Sequence, residues 1–149
     1  MSAALWLPVA IVTALAMEPW AALLHGRFWH RSLWPIHKSH HRPQDPEGGR
    51  ALELNDALSL LHAPVAVGLI LYGCAGPVGP WREVAFGTGL GMSLFGVAYV
   101  LVHDGLVHGR LPMAGLLRFA YFRRVRSAHL RHHLKSGPPF GLFFGPWAT

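Results

Sequence analysis

The stretch VAFGTGLGMSLFGVAYVLVHDGLVH, residues 84–108, decides the fold, because it runs a membrane-length apolar segment straight into two histidines. Residues 84–102 carry no charged side chain, and as an α-helix they cover about 28 Å, close to the roughly 30 Å hydrocarbon core of a bilayer. His103 and His108 follow at once, flanking Asp104 and Gly105. Two further stretches match in length: residues 1–24 carry only Glu18, and residues 57–78 carry no charge. The whole chain of 149 residues is 52% hydrophobic and 13% charged, which suits a protein that lives in lipid. Three spans are the minimum.

Ala14-Leu15-Ala16 resembles a signal-peptide cleavage site, but no Lys or Arg precedes the first apolar run, so we read it as a retained helix. Residues 137–149 are uncharged, too short to span and too rich in Gly and Pro for one helix; they dip into the interface or cover the site. The expected fold is an all-α integral membrane helical bundle of three or four spans with a cytoplasmic histidine-rich cap, in a single domain, 1–149. Pro43-Gln44-Asp45-Pro46-Glu47-Gly48-Gly49 is a loop, Asn55 or Asp56 caps the second span, and residues 73–80 form a hairpin turn. Pro112 ends the helix bearing His103 and His108, and residues 118–135 form a basic helix. The lone Cys74 excludes an intrachain disulfide.

Basic residues set the orientation. Arg27, Arg31, Lys38, Arg42 and Arg50 lie between the first and second spans, and Arg110, Arg118, Arg123, Arg124, Arg126, Arg131 and Lys135 follow the third. Only Arg82 falls in the turn between spans two and three. By the positive-inside rule both histidine-bearing regions are cytoplasmic and the N-terminus is outside. The net charge of +6 is then a topological signal and does not call for nucleic acid, for which no motif is present.

Ten of the eleven histidines fall in four groups: His25 with His30, His37 with His40 and His41, His103 with His108, and His129 with His132 and His133. One metal ion takes about four to six donors, so ten imidazoles point to two ions. The spacing H-x-x-H-H occurs twice, at 37–41 and 129–133, and on a helix it turns two or three rings toward one point. The i, i+5 pairs are harder to place, since an α-helix sets such rings about 140° apart. Either a π-type bulge or helix end at Gly26 and Gly105 realigns them, or the members of each pair serve different metals. His62, alone in an apolar stretch, is read as structural.

The order H-x4-H-x6-H-x2-H-H, then E-x-N-D, H-D-G-L-V-H and H-x-x-H-H followed by F-G resembles the bacterial β-carotene hydroxylases of the fatty acid hydroxylase and sterol desaturase superfamily. Met17-Glu18, Glu53-Leu54-Asn55-Asp56, residues 103–108 and Phe140-Gly141 stand where that family has them, so the resemblance covers almost the whole chain. The H-x4-H at His103 and His108 is its least general element, H-x3-H being usual in the broader superfamily. Pro19 after Glu18 and Pro35 before His37 depart from the pattern. The resemblance implies a membrane di-iron mono-oxygenase that hydroxylates C3 of a β-ionone ring and turns β-carotene into cryptoxanthin and zeaxanthin. Its ligands are then the ten grouped histidines, with two Fe ions, or Zn in purified protein, and O₂.

The residues agree with that implication. An unactivated ring C–H bond does not yield to acid–base groups, and neither an H-E-x-x-H motif nor a Ser-His-Asp set is present, so a redox metal is needed. Glu18, Asp56 and Asp104 are the candidates to accept the outer N–H of ligating imidazoles, with helix capping for Asp56 and an Arg110 ion pair for Asp104 as the structural readings. The substrate enters from the bilayer, and Gly87, Gly89, Gly91, Ser93 and Gly96 either pack helices closely or leave a groove. Phe95, Tyr99, Phe119, Tyr121 and Phe122 are candidates for its ring end. With no flavin, nicotinamide or iron–sulfur motif, electrons must come from a partner, a reduced ferredoxin or similar protein docking on the basic helix. The alternatives are a ring ketolase, a lipid or sterol hydroxylase or desaturase, and a membrane haem protein. Bis-histidine haem would need paired histidines on facing spans, whereas these are clustered.

Overall fold

Long runs of Ala, Leu and Val without a charge leave the backbone to satisfy its own hydrogen bonds, and in the computed structural model, which describes residues 3–41 and 53–147, they do so as helices. The loop expected at 43–49, with Arg42 and Arg50, lies outside the described residues. No strand occurs among the described residues. Three helical stretches are long and apolar enough to cross a membrane: Ala4–Trp29, Leu54–Ala75 and Pro80–Val107. The first holds α1, Ala3–Leu24, and a π-helical turn, His25–Trp29. In the second, α3 (Leu54–Ser59), a 3₁₀ turn (Leu60–His62) and α4 (Ala63–Ala75) follow one another. The third is α5, Pro80–Tyr99, running into a second π-helix, Val100–Val107.

The chain divides into two compact units, Met1–Met17 with Ser59–Ala98, and Glu18–Leu58 with Tyr99–Thr149. In the first, α5 is a glycine-lined helix that its neighbours approach closely. A Cβ on Gly87 or Gly91 would lie 2.5 Å from a carbonyl oxygen of α1, and one on Gly89 would lie 2.7 Å from the Ala66 carbonyl of α4. These glycines therefore serve helix packing, the usual adhesive where lipid tails remove the hydrophobic drive. Arg82 closes the α4–α5 hairpin by donating to the Gly73 and Cys74 carbonyls, 2.7 Å each, so α4 continues to Ala75 and the turn is shorter than the sequence suggests. Leu7, Ile11, Val12, Leu15, Leu71 and Val97 point outward, an arrangement suited to lipid.

The second unit contains the short α2, Trp34–His37, a 3₁₀ turn, Ala114–Arg118, and α6, Ala120–Lys135. Pro35 sits in the first turn of α2, where its missing N–H costs nothing, so it begins a helix. α6 buries Val125, Ala128, His129 and His132 along one stripe and exposes Arg123, Arg124, Arg126 and Arg131. Ser136, at φ 52°, stops it in the left-handed conformation, with its N–H on the His132 carbonyl at 2.7 Å. Val102, Leu106, Val107, Val125 and Leu142 form the unit's apolar core.

Candidate metal centre

The two H-x4-H pairs lie on the π-helical turns. His30 N–H donates to the His25 carbonyl and His108 N–H to the His103 carbonyl, both at 3.0 Å. That i to i+5 bond inserts one residue per turn and brings the two rings to the same side, which an α-helix cannot do. Gly26 and Gly105 are there for space: a Cβ on Gly26 would lie 2.8 Å from the Phe140 ring, and one on Gly105 would lie 2.6 Å from the Met113 side chain. Gly109, at φ 68°, ends the second π-helix in a conformation that side chains resist, and Arg110 N–H turns back to the Asp104 carbonyl at 2.7 Å.

All ten grouped histidines converge, in two sets of five. His25, His30, His37, His41 and His132 form the first, and His40, His103, His108, His129 and His133 the second; within each, the ligand atoms lie within 4.8 Å of one another. Both members of each H-x4-H pair serve the same set. Each H-x-x-H-H motif is split, its i and i+4 rings going to one set and its i+3 ring to the other. His62 is in neither.

Six Nδ1 atoms face oxygens that only accept: His25 on the Phe140 carbonyl (2.8 Å), His37 on Asn55 Oδ1 (2.6 Å), His40 on Glu53 Oε2 (3.3 Å), His41 on the His133 carbonyl (3.4 Å), His103 on Asp104 Oδ1 (2.8 Å), and His132 on the Gly137 carbonyl. Each of these Nδ1 atoms therefore carries the proton and donates, leaving a bare lone pair on Nε2. Those Nε2 atoms face one another: His25–His37 at 3.0 Å, His25–His132 at 3.2 Å and His37–His41 at 3.2 Å in the first set, His40–His103 at 3.0 Å in the second. Facing lone pairs repel unless a cation lies between them. With metal–nitrogen bonds of about 2.1 Å, adjacent ligands are about 3.0 Å apart in an octahedron and about 3.4 Å in a tetrahedron. The spacing thus fits a metal ion bound by several imidazoles.

Burial keeps the rings neutral and ready to bind. It lowers His30, His41 and His132 to about 4 and His37 and His108 to about 3, with neighbouring imidazoles adding to the effect, and it holds His129 and His133 far below the ordinary value. Aromatic rings wall the first set. Trp29 lies 5.5 Å from His25, Trp34 5.3 Å from His30 and His41, and Phe140 5.3 Å from His30, centroid to centroid.

Of the three carboxylates expected to hold imidazoles, Asp104 alone does so. It lies 2.8 Å from His103 Nδ1 and also 3.8 Å from Arg110. Asp56 caps α3 through the Glu53 N–H at 2.8 Å and pairs with Arg110 at 2.9 Å. Glu18, 3% exposed, accepts the Phe144 N–H at 2.9 Å rather than a histidine proton. Glu53 and Asn55 are the acceptors missed, although three polar side chains in four residues exceed what one helix cap uses. Arg110 meets Glu53 at 2.6 Å and, with His40, holds that carboxyl below its ordinary value against the opposing effect of burial. The C-terminal segment covers the first set, supplying the Phe140 and Gly137 carbonyls.

The family model for fatty acid hydroxylases matches residues 10–149. The chain belongs to the fatty acid hydroxylase family. Among its relatives, "Beta-carotene 3-hydroxylase 2, chloroplastic" of Arabidopsis thaliana is 44% identical over 140 residues, 93% of this chain and 45% of that protein. "Beta-carotene 3-hydroxylase, chloroplastic" of Gentiana lutea is 43% identical over 140 residues, covering 93% and 42%. "Beta-carotene hydroxylase" of Pseudescherichia vulneris is 39% identical over 137 residues, covering 92% and 73%. The chain therefore spans less than half the length of the plant relatives and most of the bacterial one. No solved structure matches it.

Proposed function

We propose that this protein is a carotenoid ring hydroxylase that inserts oxygen at C3 of β-ionone rings, taking β-carotene through cryptoxanthin to zeaxanthin at a histidine-held di-iron centre. The observation that carries the reading is the pair of five-imidazole sets with lone pairs facing inward, in a family member whose relatives are named β-carotene hydroxylases. Two bound iron ions supply the redox chemistry with O₂ that an unactivated C–H bond demands, and zinc takes their place when the protein is overexpressed.

The chain's own residues do the rest. Phe140, Asn55, Glu53, Asp104 and Gly137 hold protons on Nδ1 and so aim Nε2 at the ions. Asp56 acts at one remove, by holding Arg110 beside Glu53. Glu18 pins the C-terminal segment that carries the Phe140 carbonyl. Trp29, Trp34 and Phe140 exclude water from the first set. A reduced ferredoxin or similar donor docks on exposed Arg118, Arg124, Arg126, Arg131 and Lys135. Residues 1–149 act as one functional domain in a bacterial inner membrane, with the histidine sets cytoplasmic and the N-terminus outside.

Expression in a bacterium that accumulates β-carotene, followed by pigment chromatography, tests the reading. Cryptoxanthin and zeaxanthin are expected. Ketocarotenoids would make the protein a ketolase, and unchanged pigment with membrane-inserted, metal-loaded protein would refute carotenoid oxidation. A Soret band in the purified protein would mean haem.

A further inference from the structure

The two sets differ in access. Beside the second lies a cleft of about 870 Å³ with His40, His108 and His133 on its wall, while the first set contributes only His41. The rest of the lining is mainly aliphatic, including Leu106, Leu111, Leu117, Leu130 and Leu134, and among the described residues Arg126 is its one charged side chain. That volume is within the roughly 300 to 1,000 Å³ of small-ligand sites, and apolar walls around a few convergent polar groups are their usual composition. The first set, by contrast, is walled by Trp29, Trp34 and Phe140.

We infer that this cleft seats the cyclic hydrocarbon end group of the substrate and presents its C–H bond to the second histidine set, which supplies three of the four histidines on the wall. The inference rests on the carotenoid reading above and adds where the ring binds and which set it meets. A hydrocarbon ring has no hydrogen-bonding group, so shape and apolar contact alone must hold it, which the leucines of α6 and of the segment 106–117 provide. None of Phe95, Tyr99, Phe119, Tyr121 and Phe122, the aromatics singled out in the sequence as a ring site, lines the cleft. The selecting side chains are the aliphatic ones.

Two exposed rim positions allow the cleft to be filled from outside: Ala114, and Leu134 at 86% exposure. The test uses full-length, metal-loaded protein in detergent micelles, a trimethylcyclohexenyl diazirine as photoprobe, and peptide mapping by mass spectrometry. The probe is expected to label segments 105–117 and 130–134, with β-carotene competing. In Ala114→Trp and Leu134→Trp, labelling should fall and the KM for β-carotene rise at least tenfold, with metal content as in wild type. Labelling confined to other segments, or labelling and KM unchanged in both variants, overturns the assignment. The binding arm needs no turnover, so the two readings fail separately. Protein that labels the cleft but oxidises no carotenoid sinks the functional reading, and protein that turns over but labels elsewhere sinks this one.

Discussion

Asn55→Ala is the sharpest probe of how the centre is organised. Asn55 is 2% exposed and takes the Nδ1 proton of His37, itself 1% exposed, at 2.6 Å. Truncation leaves a buried N–H without an acceptor, a penalty of about 1–3 kcal/mol. It also frees the imidazole to carry its proton on Nε2, the atom needed for the metal. Loss of such a partner typically weakens metal binding roughly 10- to 100-fold, or about 1.4 to 2.8 kcal/mol, so the two routes agree in size. The effect should be confined to one ion, because His37 belongs to the first set and the second keeps all five of its rings. Metal content measured after equilibration against increasing chelator should show one ion leaving at 10- to 100-fold lower chelator and the other as in wild type. Asn55→Asp, which restores an acceptor, should recover most of the retention. A wild-type release curve for Asn55→Ala, or equal weakening of both ions with helical circular dichroism intact, would refute the assignment of Asn55 to His37 and of His37 to one set.

Alanine at His40, His41, His132 or His133 should abolish turnover while His62→Ala leaves it intact, and active wild-type protein should hold close to two metal ions; an active His133→Ala variant would contradict this. Gly26→Ala should cost about 1–3 kcal/mol by forcing the Phe140 ring away from a Cβ built 2.8 Å from it, and should loosen His25 with it; thermal unfolding and metal retention both read the change. Turnover with ferredoxin should fall as salt rises above about 0.15 M, where exposed charges are screened within roughly 8 Å. Charge reversal at Arg124 should raise the ferredoxin concentration for half-maximal rate without changing metal content. Arg124 is the better target than Arg123, whose guanidinium also holds the Leu117 and Arg118 carbonyls at 2.8 and 2.9 Å. An unchanged half-maximal concentration would place the donor elsewhere.

Read alone, the sequence carries the spans, the ten grouped histidines and, as one of two readings of the H-x4-H pairs, the π-turns, because each depends on local facts. An uncharged run of sufficient length can cross a bilayer only as a helix, and H-x4-H directs two rings to one ion only with an extra residue in the turn, whereas pair members serving different ions would need none. The purpose of Gly26 and Gly105 was not legible, since Phe140 and Met113, which need the space, lie outside their own turns. Nor were the proton acceptors for His25 and His132. They are backbone carbonyls, which every residue has, so no residue type marks them.

The split of each H-x-x-H-H motif sits between these cases. Helical geometry places i+4 about 40° from i on one side and i+3 about 60° on the other, so the i and i+4 rings can share an ion while i+3 turns away. Sequence alone therefore determines that the chain carries ten grouped histidines, enough donors for two metal ions, and that each motif can turn two or three rings toward one point. Only the tertiary structure decides that His132 joins His25, His30, His37 and His41, and that His40 joins His103, His108, His129 and His133. Segments ninety residues apart meet through packing, and local spacing holds no information about the partner across the gap.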